Sequence, residues 1–363
     1  DALEGTKMLK EILQSTERQS YFIPLLDDDA AVSLSMSTMM ADRDKNAYIE
    51  MMDGIRMEVA RLIEENKLGA APDENSPIGQ GLAAIQKSLE VGHVDVFAQF
   101  YRDSSGKLAI VGAARVEDGD AMGAGLLDGL SRLKDVEEIK RAGALQTGSG
   151  EHQGITFHRL TFAQQPPEAV EVFGHSVGLT IGVGARSVWA VLGGEDSWNT
   201  LKVVMDQLEE ANQSPQDYRT PPNFRIIVNV NQLVEMATIA DTAGKKAREA
   251  KEQIAAAEAT AKADGAPSPT PPDVASNTRS EGINGGSNPR GARRAAFARR
   301  REQGGRIFRE TLADGDDRIE IDSRLTETGA RVRIRLEEGF VKIFGRLLAS
   351  RIAPAEEIEE KVR

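Results

Sequence analysis

The chain has no cysteine and only four histidines among its 363 residues. The absence of cysteine excludes disulfides, thiolate metal ligands and a cysteine nucleophile. Every histidine lies at or before His175, so an imidazole base for a later residue has to come from earlier in the chain. These shortages favour functions that need neither a thiolate metal site nor a cysteine nucleophile.

Long apolar runs and a general excess of positive charge are also missing. No run reaches the roughly 18 apolar residues of a membrane-spanning helix. Residues 1–240 carry 36 acidic and 21 basic side chains, whereas residues 241–310 carry 9 and 14. An acidic body of this kind repels nucleic acid and anionic membrane surfaces. We therefore expect no membrane span, and no nucleic-acid binding by the body of the protein.

Short apolar runs joined by turns make up most of what the chain does contain. Such runs, rich in Val, Ile, Thr and Trp and split by a Gly-containing turn, are typical of β-hairpins. Acidic residues and then apolar residues at helical spacing follow each pair of runs. The carboxylates are expected to cap helix N-termini rather than to catalyse. The predicted hairpins are Val94–Tyr101 with Leu108–Val116, Gly178–Gly184 with Val188–Leu192, and Arg318–Leu325 with Ala330–Leu336.

The recurrence of hairpin and helix predicts the fold class. We expect an α+β protein with antiparallel sheets built from repeated β-hairpin–helix units and with helices packed mainly on one face. Leu108–Val116 and Val188–Leu192 are apolar on both faces, which predicts central strands covered on both sides.

Alternation in the last hairpin predicts which side chains face the core. Its apolar residues are expected to point inward and its charged residues to point to solvent. The apolar set is Ile319, Ile321, Val332 and Ile334, and the charged set is Glu320, Asp322, Arg331, Arg333 and Arg335.

Composition divides the chain into three parts. Residues 1–90 are predicted to form a mostly helical entry segment, and residues 91–242 with 313–363 the α+β hairpin-helix part. We expect residues 243–312 to be a flexible insertion rich in Ala, Pro, Gly and Arg, because this composition buries too little apolar surface to offset its ordering entropy. The strand at 224–230 is then expected to join the sheet that contains residues 318–336.

The insertion carries a basic stretch, Arg290–Arg309, with Phe297 and Phe308 interleaved. Arginines and aromatics in this arrangement are typical of polyanion or RNA binding. The alternative is a solubilising loop, which the neighbouring acidic body favours. The candidate polyanion-binding residues are Arg293, Arg294, Arg299, Arg300 and Arg301.

Gly174–Gly178 matches the G-x-S-x-G pattern that exposes a nucleophilic serine in esterases, and a strand-like Val170–Phe173 precedes it. The pattern requires a helix directly after the serine, but the residues after Ser176 are typical of a strand. The esterase fold also places its histidine after the serine, and no histidine follows His175. A turn before a strand is favoured, and a serine hydrolase using Ser176 is the alternative.

Asp42–Asp53 approaches the spacing of a calcium-binding loop. Ala47 stands where that loop needs glycine, and Asp53 stands where it needs a bidentate Glu. The same residues are typical of a helix N-terminus capped by Asp42 or Asp44. The cap is favoured, and calcium binding by residues 42–53 stays open.

Three segments carry a resemblance: Gly154–Leu160, the hairpin Val177–Leu192, and Phe224–Leu233. In their order they resemble a loose group of uncharacterised exported bacterial proteins known only as domains of unknown function. The resemblance implies export and an α+β fold, and it carries over no functional residue.

These observations lead to one functional prediction. The sequence contains no pattern that specifies a cofactor, a metal cluster or a nucleophile–base pair. We therefore predict a non-catalytic, exported binding or scaffold protein with a protein or cell-envelope partner. The start at Asp1 rather than Met agrees with loss of a leader, so we expect an extracytoplasmic location, in a bacterial periplasm or cell envelope.

Overall fold

A computed structural model describes residues 20–134, 136–213, 222–264, 317–326, 329–340 and 342. The strands are β1 (Val32–Met39), β2 (His93–Arg102), β3 (Leu108–Arg115), β4 (Gly143–His152), β5 (Ile155–Phe162), β6 (Gly178–Gly184), β7 (Ser187–Gly193), β8 (Phe224–Asn229), β9 (Arg318–Thr326) and β10 (Gly329–Leu336). The helices are α1 (Asp42–Glu65), α2 (Pro77–Val91), α3 (Gly119–Leu133), α4 (Glu137–Ala142), α5 (Pro167–Phe173), α6 (Ser197–Gln213) and α7 (Val230–Asp264), and a 3-10 turn spans Ile23–Leu25.

The chain divides into two compact units. The first comprises residues 1–240 and 318–336, and the second comprises residues 241–317 and 337–363. The whole sheet and helices α1–α6 belong to the first unit. None of the helices in the described ranges has an apolar stretch sufficient to cross a lipid bilayer.

The ten strands form one antiparallel sheet in the order β10-β9-β8-β1-β2-β3-β7-β6-β5-β4. The predicted hairpins β2–β3, β6–β7 and β9–β10 are all present. β3 and β7 are neighbours in the interior of the sheet, and β8 pairs with β9 as the sequence predicts. The α+β class and the antiparallel pairing are therefore confirmed.

A repeated hairpin–helix unit is not clearly shown, because the helices after the hairpins pack on different faces. α3 follows β2–β3 and packs against β6, beside α2 and α1. α6 follows β6–β7 and packs against β7 and β3 from the other side. The helices that follow the two hairpins thus pack on opposite faces of the sheet, although they occupy equivalent positions in the order of elements.

Local signals explain where α2 and α3 begin. The Oγ atom of Ser76 accepts a hydrogen bond from the N–H of Gly79 at 3.1 Å, which caps α2. α2 ends at Gly92, whose φ of 71° lies in the left-handed region that glycine adopts without strain. Asp118 caps α3 by accepting from the N–H of Ala121 at 3.3 Å, so the acids before this helix act as the sequence predicts.

The predicted cap of α1 is wrong in detail. Its N-cap residue is Ala41, without a side-chain hydrogen bond, and Asp42 and Asp44 lie inside the first turn. There their negative charges interact favourably with the positive end of the helix dipole, but neither residue occupies the N-cap position.

The main hydrophobic core lies between α6 and one face of the sheet. Phe22 reaches it from the segment before β1, with its ring centroid 6.1 Å from that of Phe97 and 5.8 Å from that of Trp189. α6 contributes the buried residues Leu201, Val204, Met205 and Leu208. This face of the sheet is therefore covered at β2, β3, β5 and β7.

Candidate functional site

The face of the sheet away from α6 is apolar and is not buried. Cross-strand pairing joins residues on this face into rows that run from β6 to β10, because directly opposite residues of antiparallel strands share a face. One row is Val183, Val188, Ala114, Val96, Met36, Phe224, Ser323 and Val332. The next is Ile181, Ala190, Gly112, Ala98, Leu34, Ile226, Ile321 and Ile334. We call these two rows the apolar face; none of its members is buried.

On β1, β2, β3, β6 and β7, the residues between these rows are buried. Ser33 and Ser35 on β1 are buried, whereas Leu34 and Met36 beside them are only partly covered. The usual arrangement, with apolar side chains buried and polar ones exposed, is therefore reversed on this strand. A large apolar surface left accessible is typical of a ligand or partner site.

In the last hairpin the predicted orientation is wrong for the acids of β9 and the apolar residues of β10, whereas the arginines of β10 are exposed as predicted. Glu320 and Asp322 are only 7% and 6% exposed, whereas Val332 and Ile334 are both 62% exposed.

Ion pairs offset the cost of burying the carboxylates of Glu320 and Asp322. The guanidinium of Arg225 lies 3.2 Å from a Glu320 carboxylate oxygen, and Arg335 pairs with the same carboxylate. Arg324 lies 3.4 Å from Asp322. Paired and hydrogen-bonded charges can be buried where isolated ones cannot.

A pocket of about 330 Å³ lies between α1, α2, α3 and the β6–β7 end of the apolar face. Among the described residues that line it, Arg132 is the only charged one. The apolar lining consists of Val59, Leu62, Ile63, Leu68, Ile78, Leu82, Ile85, Met122, Leu126, Leu130, Leu133, Ile181, Val183 and Val188, with glycines 81, 125 and 129. Because three of these residues belong to the apolar face, the pocket is one end of that face.

Two features of α3 shape this pocket. A Cβ atom on Gly81 of α2 would lie 3.0 Å from the Cα of Gly125, so the two helices cross at van der Waals contact through glycine. Arg132 ties the segment after α1 to α3, since it donates to the carbonyl of Ala70 at 3.0 Å and pairs with Asp128 at 3.0 Å. The guanidinium is thus already bonded within the protein and holds the end of the pocket in place.

A buried polar network lies on the opposite face of β1 and β2. The Asp95 carboxylate accepts from the Ser20 hydroxyl at 2.6 Å and from the Tyr21 N–H at 2.8 Å. Ser35 extends the network to Ser20 at 2.7 Å. Burial raises the pKa of Asp95, and these hydrogen bonds with the charge of Arg115 act in the opposite sense. The network satisfies polar groups that would otherwise make burial of this face costly.

Ser37 and His93 form a serine–imidazole contact that the sequence does not reveal. Their Oγ and Nε2 atoms are 2.9 Å apart across β1 and β2. Ser37 is fully buried, so this geometry joins two strands and offers no access to a substrate.

Ser176 lies in a turn between α5 and β6, with a φ of 56°. Helix–turn–strand is the reverse of the strand–turn–helix order of an esterase elbow. Residues 170–173 belong to α5, so the strand predicted there is wrong. The Ser176 hydroxyl donates to Glu195 at 3.0 Å, and Arg159 fixes the turn by donating to the carbonyls of Ser176 and Gly194 at 2.9 and 3.0 Å.

Of the other candidates from the sequence, those that the structure describes are not brought to this site. The polyanion candidates Arg293, Arg294, Arg299, Arg300 and Arg301 lie outside the described residues. Residues 42–53 are helical throughout and so do not adopt the conformation of a calcium loop. Within the described ranges, no three His, Asp or Glu side chains are grouped so that they could hold a metal ion.

Reasoning from the sequence missed the apolar face and the pocket. The alternation of serine with Leu34 and Met36 predicts a strand, but an alternating pattern does not tell which face is covered. Comparison of the chain with protein-family models, with curated proteins and with solved structures finds no match in any of the three.

Proposed function

We propose that the protein binds a hydrocarbon chain, such as the acyl chain of a lipid, in the pocket beneath α1–α3 and along the apolar face. The observation that supports this function is the continuous apolar surface from the pocket to β10, of which no member is buried. The proposal gives a ligand class to the predicted non-catalytic binding role. Export to the periplasm or cell envelope remains a prediction, which fractionation of expressing cells would test.

The chemistry of the pocket favours a hydrocarbon over a polar ligand. A polar group placed against this lining would lose its hydrogen bonds to water without replacing them. Arg132, the one charged residue in the described part of the lining, is already engaged with Asp128 and the carbonyl of Ala70. A volume of about 330 Å³ falls at the lower end of the range of small-molecule sites, which suits a slender chain.

The free energy of burying methylene groups gives an expected affinity. Each buried methylene contributes about 0.8 kcal/mol, so about ten methylenes contribute roughly 8 kcal/mol. This corresponds to a dissociation constant of about 1 μM before ordering costs, so affinities in the micromolar range or weaker are expected.

Gly129 offers a direct test, because it lines the pocket and a Cβ atom there has no neighbour within 4 Å. Gly129→Phe should fill the pocket without a backbone clash. We expect the fluorescent apolar probe N-phenyl-1-naphthylamine to bind the wild type, to be displaced by a straight-chain fatty acid, and to bind Gly129→Phe at least tenfold more weakly.

Gly54→Phe is the matched control. Gly54 is also a helical glycine with open space around it, but it does not line the pocket. Probe binding by Gly54→Phe should equal that of the wild type. Equal binding by Gly129→Phe and Gly54→Phe, or no displacement by the fatty acid, would contradict the proposal.

A further inference from the structure

The last strand of the sheet is unusually open. Among the described strands, β10 pairs on one side only, with β9. Every residue from Arg331 to Leu336 is exposed. The strand has 8 residues, no proline and an uninterrupted register with β9. Edge strands are usually protected by brevity, proline, a bulge or charged side chains, because their free N–H and C=O groups pair readily with another strand. Of these, β10 has only its charged side chains, the exposed arginines.

We propose that β10 is a docking edge for an extended segment of a partner protein whose side chains alternate between carboxylate and apolar. Such a segment would add a strand to the sheet, a recurring mode of peptide recognition in which backbone hydrogen bonds give affinity and alternate side chains give specificity. This inference does not depend on the hydrocarbon ligand.

The charges on β10 define the partner's chemistry. Arg331, Arg333 and Arg335 project from one face, and Val332 and Ile334 from the other. On the inner side, β9 places Asp322 opposite Arg333 and Glu320 opposite Arg335. A strand on the outer side meets the same row of arginines, so it needs carboxylates at alternate positions and apolar residues between them.

The register argues against a second copy of this chain as the occupant. Two β10 strands paired antiparallel would place arginine opposite arginine, because directly opposite residues share a face. β4, at the other end of the sheet, is a poor partner for β10. Its register shifts between Gln146 and Gly150, and Glu151 is its only acidic residue.

The test uses the full chain and a fluorescein-labelled peptide of four Ile-Glu repeats, with an Ile-Lys peptide as its counterpart. Anisotropy titration should show at least tenfold tighter binding of the Ile-Glu peptide. Arg331→Glu should weaken that binding at least tenfold. Glutamate at position 331 stands opposite Arg324, so the sheet should keep its pairing. Arg333→Gln is a second variant that removes one charge without adding another.

Arg186→Glu is the matched control, since Arg186 is an exposed arginine in the β6–β7 turn, away from β10. It should leave peptide affinity unchanged. Hydrogen exchange should slow at β10 amides when the Ile-Glu peptide binds.

Four results would each overturn the proposal. They are equal affinity for the two peptides, equal weakening by Arg186→Glu and Arg331→Glu, binding without slower exchange in β10, and a dimer in sedimentation whose formation slows exchange at β10 amides. The last would assign the edge to a second copy.

Discussion

Gly125 and Gly129 lie one turn apart on α3 but have different surroundings. A Cβ atom on Gly125 would lie 2.7 Å from the carbonyl oxygen of Pro77 and 2.9 Å from the Cα of Gly81. Gly129 has open space at the same point because it faces the pocket. Gly125 is thus needed for helix contact, and Gly129 leaves room for a ligand.

This difference predicts opposite effects of the same substitution. Gly125→Ala should destabilise the fold by about 1–3 kcal/mol, because backbone must shift to accept the methyl group. Gly129→Ala should stabilise it by up to about 1 kcal/mol, because alanine has the higher helix propensity. Urea unfolding of both variants measures the two changes. Changes of the same sign would show that the α2–α3 contact is not as close as described.

The burial of His158 should make the free energy of unfolding depend on pH. Burial lowers the pKa of His158, whose Nδ1 accepts a hydrogen bond from the N–H of Gly148 at 3.1 Å. Below about pH 6.5 the unfolded state binds a proton that the folded state resists. The contribution of His158 is therefore fully present above about pH 6.5 and is lost as the pH falls further.

Urea midpoints at about pH 7.5 and about pH 5 measure this contribution. The wild type should lose more stability over this range than His158→Gln does. His175→Asn, at an exposed position, should keep the wild-type slope. If His158→Gln loses as much stability as the wild type over this range, His158 does not cause the pH dependence.

Among the helices, α1 buries few residues for its length. Only Met52 and Ile63 of its residues are buried, although α6 buries five residues in a shorter helix. Its apolar residues Tyr48, Met51 and Leu62 are exposed. α1 therefore has little buried area to oppose local opening.

Hydrogen exchange should distinguish α1 from α6. We expect α1 amides to exchange faster than α6 amides in the free protein, because opening α1 exposes little apolar surface. A fatty acid that contacts Val59 and Leu62 should slow exchange in α1 and leave α6 unchanged. Exchange in α1 as slow as in α6 without ligand would contradict this description.

For the molecule as a whole, the sequence predicts the positions of strands better than it predicts which face of each strand is buried. The apolar runs of β2, β3, β6 and β7 and the pairing of β8 with β9 follow from short-range pattern and chain order. β4 was missed because its Gly, Ser and Gln residues lack an alternating apolar signal. The charged face of β9 was assigned to solvent because alternation is equally consistent with either face being buried.

The pocket cannot be predicted from the sequence, for a related reason. Its lining combines residues of α1, α2, α3, β6 and β7 that are far apart in the chain. Their apolar character is equally consistent with an ordinary core, and only packing shows that space remains between them. Short-range pattern in the sequence therefore does not indicate where the pocket lies.

Methyl NMR with a spin-labelled fatty acid can locate the hydrocarbon on one side of the sheet, because Ile226 and Ile227 are neighbours on opposite faces of β8. Ile226 belongs to the apolar face, whereas Ile227 is fully buried on the other side. We expect the spin label to broaden the methyl signals of Ile226 and Ile181 more strongly than that of Ile227. Equal broadening of Ile226 and Ile227, or no broadening of either, would contradict a hydrocarbon site on this face.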